Sequence, residues 1–369
     1  MIPNVALIRS EKAGYNYSER ICGLYPLERN IILLIKAGVK KIFLDLSKEE
    51  RSFYQANVSR YVEKFQDTKI AFSSKAGIGS QYFLIPSNIF SQAHYYNESS
   101  GYFKQKGKVF TPVMGDDQFL LSENSQYKKA ANLLKTYIIK NTGGFIAQKI
   151  NKRISMPISM ELVKTRIHPN YLTILNMIIG LLSSFFLLFN SYWLTVLGGF
   201  LFQTASVMDG VDGEVAKLTL KVSKIGSWLD TISDNSTLIL FIVVLSYLYY
   251  INSSGFLPVI LIIMVLAGIA VMIAMMFRYL KRYSKSGSLV AYDREFLQKL
   301  PQNDPFVFIT QKLKYITKKE FFSIAFFAIC LTGRAYFFIP VIAVVISVAA
   351  VILAVIDLKY LKSFGNKAS

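Results

Sequence analysis

The sequence predicts a six-helix integral membrane domain preceded by a cytosolic α/β domain with a parallel sheet. Three observations carry that prediction. Of 369 residues, 53% are hydrophobic and 14% aromatic, and the mean hydropathy is +0.37, more apolar than ordinary soluble domains. Two long stretches, 167–208 and 235–277, contain no Asp, Glu, Lys or Arg. Before residue 120 the pattern changes to short apolar runs alternating with helical periodicity. Charge is lopsided, 42 Lys+Arg against 23 Asp+Glu, a net +19. A chain both basic and this apolar fits beside anionic lipid, not on nucleic acid. Cys22 and Cys330 lie far apart, and with only His94 and His168 they supply neither a disulfide framework nor clustered zinc ligands.

In chain order, residues 5–8, 41–44, 69–72 and 82–85 are short apolar runs of the kind that form strands buried on both faces. Between the first two, residues 26–38 are apolar at helical spacing and close on Gly38, and residues 47–65 form a second helical stretch. Alternation at this spacing means an α/β layer, residues 1–124. Residues 125–166 read as a basic helical bridge along the membrane surface, with Lys128, Lys129, Lys135 and Lys140. The membrane domain follows over 167–360. Each uncharged stretch has room for two crossings of about 20 residues, with turns at Asn190-Ser191 and at residues 252–255. Residues 335–356 are a further crossing. Residues 321–333 are short and span if Lys319 and Arg334 snorkel. Positive charge is dense before residue 167, over 278–319 and in the C-terminal tail, and nearly absent at the three other connections. The positive-inside rule then places both termini and the loops around 209–230 and 278–319 in the cytoplasm. Trp228, Tyr247, Tyr249 and Tyr250 read as interfacial aromatics, Cys330 as packing, and Asn176 as an interhelical hydrogen bond.

The chemistry is concentrated around two pairs of carboxylates. Asp209 and Asp212 are i, i+3 and share a helix face; Asp230 and Asp234 are i, i+4 and share another. Carboxylates at the ends of membrane helices are costly, and four facing one another require a cation. All-oxygen ligation suits Mg²⁺, Mn²⁺ or Ca²⁺, and two ions bridging a diphosphate would neutralise charge building on a leaving phosphate. Gly213 and Ala216 keep the same face open, and Lys217 places a cation where a phosphate would lie.

These residues carry a resemblance. Asp209, Asp212, Gly213, Ala216, Gly226, Asp230 and Asp234 match, at the right spacing, the Asp-x2-Asp-Gly-x2-Ala-Arg-x8-Gly-x3-Asp-x3-Asp pattern of the CDP-alcohol phosphotransferases, also called phosphatidyltransferases. Seven such matches arise by chance about once in 10⁹ starts. The resemblance covers about residues 140–360. It implies six transmembrane helices, a homodimer and an active site on the cytosolic membrane face. It also implies Mg²⁺ or Mn²⁺, with two ions, held by Asp209, Asp212, Asp230 and Asp234. Asp234 would act as general base on the acceptor hydroxyl. Asp209, Gly213, Ala216, Lys217 and Gly226 would line the CDP pocket, with Asn170 and Thr173 approaching the diphosphate. The implied reaction joins a CDP-alcohol donor to an alcohol or phosphorylated-alcohol acceptor and releases CMP, in phospholipid or inositol-phosphate-type biosynthesis. Lys217 departs from the pattern's Arg, keeping the charge but losing the bidentate fork. Arg153, Arg166, Arg278 and Arg282 are candidates for the acceptor's head group or phosphate, or for contact with lipid head groups.

The N-terminal half carries a second, partial resemblance. Residues 23–31, Gly-Leu-Tyr-Pro-Leu-Glu-Arg-Asn-Ile, look like the stretch that opens the first long helix of sugar-nucleotide-type cytidylyltransferases. Such a domain is fused in front of several CDP-alcohol phosphotransferases, including archaeal enzymes that make CDP-inositol. The Gly-rich loop expected after the first strand reads Arg9-Ser10-Glu11-Lys12-Ala13-Gly14, and no Asp follows at residues 84–89. The domain therefore reads as nucleotidyltransferase-like but non-catalytic, with the Asp116-Asp117 pair in a solvated turn. The reading set against an enzyme is a non-catalytic membrane scaffold whose N-terminal domain binds a nucleotide or partner; a transporter, which would want paired broken helices, is a weaker third.

Overall fold

The computed structural model describes residues 3–10, 16–62, 68–73, 81–91, 103–106, 109–112, 114, 116, 118–142, 147–283, 296–297, 300–301, 304–316 and 319–368. Glu11 to Gly14 of the candidate loop and Asp117 lie outside them. Chain compactness divides the protein into two units: residues 1–143 with 153–169 and 211–226, and residues 144–152 with 170–210 and 227–369.

The first unit is built on a six-stranded sheet in the order β3-β2-β1-β4-β7-β6. Its strands are β1 (Val5–Arg9), β2 (Lys41–Asp45), β3 (Lys69–Phe72), β4 (Tyr82–Pro86), β6 (Phe103–Lys106) and β7 (Val109–Pro112). β1 to β4 are mutually parallel, β7 joins β4 in parallel, and β6 runs antiparallel at the edge. All four expected strands are present. β1 is central, with Val5, Ala6, Leu7 and Ile8 buried, as strands covered on both faces must be. A separate ribbon pairs β5 (Ile89–Ser91) with β8 (Gln118–Leu120).

Helix α1 (Pro26–Lys36) starts with proline at its first position, where the missing N–H has no helical partner to lose. Glu28 Oε2 accepts the Tyr25 N–H at 3.2 Å. Helix α2 (Lys48–Asn57) opens on a capping box, Ser47 Oγ accepting the Glu50 N–H at 3.2 Å while Glu50 accepts from Ser47. The short α3 (Ser59–Val62) completes the layer. Their apolar faces form one core with β1, β2 and β4, and Leu220 is a member of it.

The first unit also contains α5 (Lys152–Leu162), which follows α4 (Asn124–Lys140) and a π-helical turn, Ala147–Asn151. Residues 23–31 are occupied here by packing. Gly23 has φ +83°, and a Cβ there would lie 2.3 Å from the Val163 carbonyl oxygen, so only glycine permits the approach. Arg29, 1% exposed, donates to the Leu218 carbonyl at 3.3 Å. Glu28 pairs with Arg166 at 3.4 Å; burial holds its carboxyl above the ordinary value, with Arg166 pulling the other way.

The second unit is helical. Its helices are α6 (Pro169–Leu187), α7 (Tyr192–Leu218) up to residue 210, α8 (Lys224–Asn252) from residue 227, α9 (Leu257–Tyr283), α11 (Lys319–Cys330) and α12 (Phe338–Ala368), with α10 (Pro305–Ile316) preceding α11. Among the described residues, five helices are long and apolar enough to cross a membrane: Pro169–Leu187, Tyr192–Leu218, Lys224–Asn252, Leu257–Tyr279 and Ala335–Tyr360. The expected fifth of six crossings corresponds to α11, which has 12 residues. At 1.5 Å per residue it covers about 18 Å, short of a hydrocarbon layer of about 30 Å.

α11 is nevertheless a core element. Phe326 and Cys330 are fully buried among Phe202, Phe241 and Phe338, and a Cβ on Gly199 would sit 2.6 Å from that of Cys330. Small residues buy this closeness between helices where lipid offers no hydrophobic drive. At one end of the unit, Asn190 donates to Asn252 at 3.1 Å and Tyr192 Oη donates to the Leu331 carbonyl at 3.3 Å, gathering the turns α6–α7, α8–α9 and α11–α12. Trp228, Tyr247 and Tyr250 are exposed as expected for interfacial rings. Tyr249 instead joins the core, because its helix turns that position inward.

Candidate active site

α7 supplies Asp209, and α8 supplies Asp230 and Asp234 one turn apart. Ligand oxygens of these three carboxylates lie within 4.8 Å of one another. Asn176 of α6, which the sequence marks for an interhelical bond, donates to Asp209 Oδ1 at 3.5 Å; its own Oδ1 is buried without a hydrogen-bond partner. Lys319, the first residue of α11, donates to Asp209 Oδ1 at 3.2 Å and to Asp234 Oδ1 at 2.5 Å. Among the described ion pairs of this cluster, the Lys319 ammonium meets Asp209 and Asp234. Asp209 and Asp234 side chains remain 29% and 39% exposed, so water can complete a coordination shell. Hard carboxylate oxygens, no sulfur and access to water fit Mg²⁺ or Mn²⁺.

Seven residues along each helix from Asp209, Asp234 and Lys319 lie Phe202, Phe241 and Phe326, two turns or about 10.5 Å away. Their rings meet: Phe202 stacks on Phe241 at 4.1 Å, and Phe326 stands edge-on to Phe241 at 4.6 Å and to Phe202 at 5.5 Å. On the intervening turn Ser206, Thr237 and Ser323 are buried. The site is thus a carboxylate layer, a layer of small hydroxyls and an aromatic floor.

The other expected residues are placed as follows. Asn170 and Thr173 occupy the first turns of α6, Thr173 buried. Asp212 is 5% exposed and its Oδ1 accepts the Gly213 N–H at 2.6 Å; the three-carboxylate group does not include it. A Cβ on Gly213 would meet nothing within 4 Å. Ala216 is half-buried and Lys217 exposed. Gly226 donates its N–H to Ser223 Oγ at 3.0 Å, the N-cap of α8. Arg153 is exposed on α5. Arg166 is engaged by Glu28 and lies over the Tyr25 ring. Arg278 reaches Asp357 at 3.9 Å, and Arg282 lies on α9 with its side chain outside those described.

Two residues of this region went unread in the sequence. Lys319 figures there only as a helix-end lysine; nothing in spacing links it to carboxylates 85 and 110 residues earlier, beyond the rule that intramembrane charges pair. Glu214 fills a variable position of the aspartate pattern. It is 1% exposed and accepts from Ser155 and Ser159 hydroxyls of α5 at 2.6 Å each. The i, i+4 serines on a basic helix were the available signal.

The sequence profile described as CDP-alcohol phosphatidyltransferase matches residues 166–356, more than half of the chain and the whole of the aspartate pattern. The chain belongs to the CDP-alcohol phosphatidyltransferase family. Its similarity extends to a protein named bifunctional IPC transferase and DIPP synthase from Archaeoglobus fulgidus, 30% identical over 266 residues, 67% of this chain and 53% of that one. A protein of the same name from Aquifex aeolicus is 28% identical over 219 residues, 53% of this chain and 49% of its own. The archaetidylinositol phosphate synthase of Pyrococcus horikoshii is 37% identical over 90 residues, 23% of this chain and 46% of that one. The chain spans about half the length of these curated relatives. Membership of this family and five membrane-length apolar helices make it a multi-pass membrane protein.

Proposed function

We propose that this phosphatidyltransferase-family protein transfers a phospho-alcohol or phosphatidyl group from a CDP-alcohol to an acceptor hydroxyl, in a divalent-metal-dependent reaction of lipid or inositol-phosphate-type synthesis. The gathering of Asp209, Asp230 and Asp234 from two helices is the observation that carries the reading. A divalent ion held by these three, with Asp212 completing the pattern, would neutralise charge on the donor's diphosphate. Asp234 takes the proton of the acceptor hydroxyl. The acceptor oxygen forms a bond to the phosphorus bearing the donor's alcohol, the bond from that phosphorus to the bridging oxygen breaks, and CMP leaves with the bridging oxygen. Gly213 leaves room for the donor's close approach, and Lys217 and the residues up to Gly226 would line the CDP.

Two donors compete within this reading, CDP-diacylglycerol and a soluble CDP-alcohol such as CDP-inositol; the similarity to an archaetidylinositol phosphate synthase favours inositol chemistry. Arg153, Arg278 and Arg282 remain the cations proposed for the acceptor. The same reading takes a homodimer, checked by the mass of the detergent-solubilised particle. It also makes α11 the sixth crossing, with both termini and the carboxylates on the cytoplasmic side. Support comes from the gathering of the three turns at one end. For the N-terminal domain we propose a non-catalytic, holding role, since residues 23–31 grip 160–166 and 218–221.

The deciding experiment is CMP release by purified protein with Mg²⁺ or Mn²⁺, crossing both donors with a panel of acceptors. Asp234→Asn removes the proton acceptor and one metal ligand, and its rate should fall by about 10³-fold or more. Release that survives Asp234→Asn would overturn the reading.

A further inference from the structure

The Lys319 ammonium touches two of the three clustered carboxylates, Asp209 and Asp234. α11 cannot withdraw it by moving as a body, because Phe326 and Cys330 are locked in the helix core and the far end is tied to Tyr192. The lysine side chain itself is free to swing, being a four-carbon stem on the first residue of the helix. A hard divalent ion binds carboxylate oxygens at about 2.1 Å. An ion held by Asp209 and Asp234 would share its oxygens with a neighbouring positive charge, and two cations at such short range repel.

We propose that Lys319 is a positioning residue: its ammonium holds Asp209 and Asp234 together, and a divalent ion entering the carboxylate layer displaces it. The proposal rests on the reading of this layer as a metal site. It adds that the protein carries its own competitor for the ion. Like-charged carboxylates pressed together without a cation would push apart, so the lysine keeps the ligand geometry assembled. Once displaced, the ammonium turns out of the layer and becomes accessible. Metal affinity is thereby set partly by a residue that ligates nothing.

The test uses the full-length protein in detergent and two measurements. The first is Mn²⁺ binding followed by electron paramagnetic resonance, for the wild type, Lys319→Met and, as a control for location, Asp230→Asn. Lys319→Met should bind Mn²⁺ about tenfold or more tighter than wild type, since a repelling charge is gone, and Asp230→Asn should bind more weakly. The second is acylation of wild-type Lys319 by an amine reagent, quantified by mass spectrometry; labelling should rise about threefold or more on adding Mn²⁺ as the ammonium leaves its carboxylates. Equal affinity in Lys319→Met with unchanged wild-type labelling would sink the proposal and leave the metal site standing. Absence of Mn²⁺ binding in every form would remove the metal site and this inference with it. Should Lys319→Met fail to yield monodisperse protein, the wild-type labelling decides alone.

Discussion

Asp304 divides its two carboxylate oxygens between two tasks. Oδ1 caps α10, accepting the amides of Phe306 at 2.8 Å and Val307 at 3.4 Å. Oδ2 accepts from Lys359 and from Tyr360, the latter at 2.6 Å. The Lys359 and Tyr360 hydrogen bonds hold the carboxyl well below the usual carboxylate range. An acid whose folded value is depressed adds stability above its unfolded value, about 3.9, and loses it as pH falls through the folded value. The thermal midpoint of the wild type should therefore drop on acidification below about pH 4. Asp304→Asn keeps an oxygen for the cap and loses the charge, so its midpoint should start lower at neutral pH and follow a flatter acid profile. Parallel profiles in the two proteins would show that the ion pair contributes nothing. Lys319 makes the complementary point: its meaning comes entirely from the residues it reaches.

At the scale of elements, the contact between α5 and α7 hangs on one buried carboxylate. Glu214 receives two serine hydroxyls, and Ser159 lies 3.5 Å from the Val211 carbonyl as well. Replacing both donors, Ser155→Ala with Ser159→Ala, strips those bonds from a charge that is 1% exposed. Such a loss costs about 3–5 kcal/mol, to be read as a lowered unfolding midpoint in detergent. Adding Glu214→Gln should restore part of the loss, because a buried neutral amide suffers less than a buried charge from losing two donors; no restoration would mean that the carboxylate is not the source of the penalty. The strands and most helices were legible because short apolar runs and period-3.6 patterns report burial locally. α11 was legible as a short apolar run that spans if its flanking charges snorkel. The docking of Lys319 on carboxylates of other helices is a tertiary event that no local pattern carries.

For the whole molecule, the aspartate pattern was readable because its spacing equals one helical turn within each pair, so sequence distance and spatial distance coincide. The assembly of Asp209 with Asp230 and Asp234 needed only two neighbouring helices. What escaped was every partner that arrives from far along the chain: Lys319 at the carboxylates, Arg166 at Glu28, Leu218 under Arg29. Residues 23–31 resemble the opening of the first long helix of cytidylyltransferases, and α1 does begin at Pro26; the folded chain also uses them as a packing surface. The six-crossing arrangement predicts which loops share a side. Native cysteines give a quiet background, since both are buried and burial pushes the Cys22 thiol up to about 11. Single cysteines at Ser254 and Thr332 should react with an impermeant maleimide on intact cells, and one at Val222 only after lysis. Labelling of the Thr332 position solely after lysis would reduce the crossings to five.

The three phenylalanines beneath the carboxylates have a consequence for the cell rather than for the substrate. A ladder of charged and hydroxylic groups leading into a bilayer is an invitation to proton and ion leakage, which would discharge the membrane's electrical potential. Phe202, Phe241 and Phe326 close that ladder with interlocked rings. Their layer closes the acidic well on that side, so that a proton taken up among its carboxylates would have to go back the way it came.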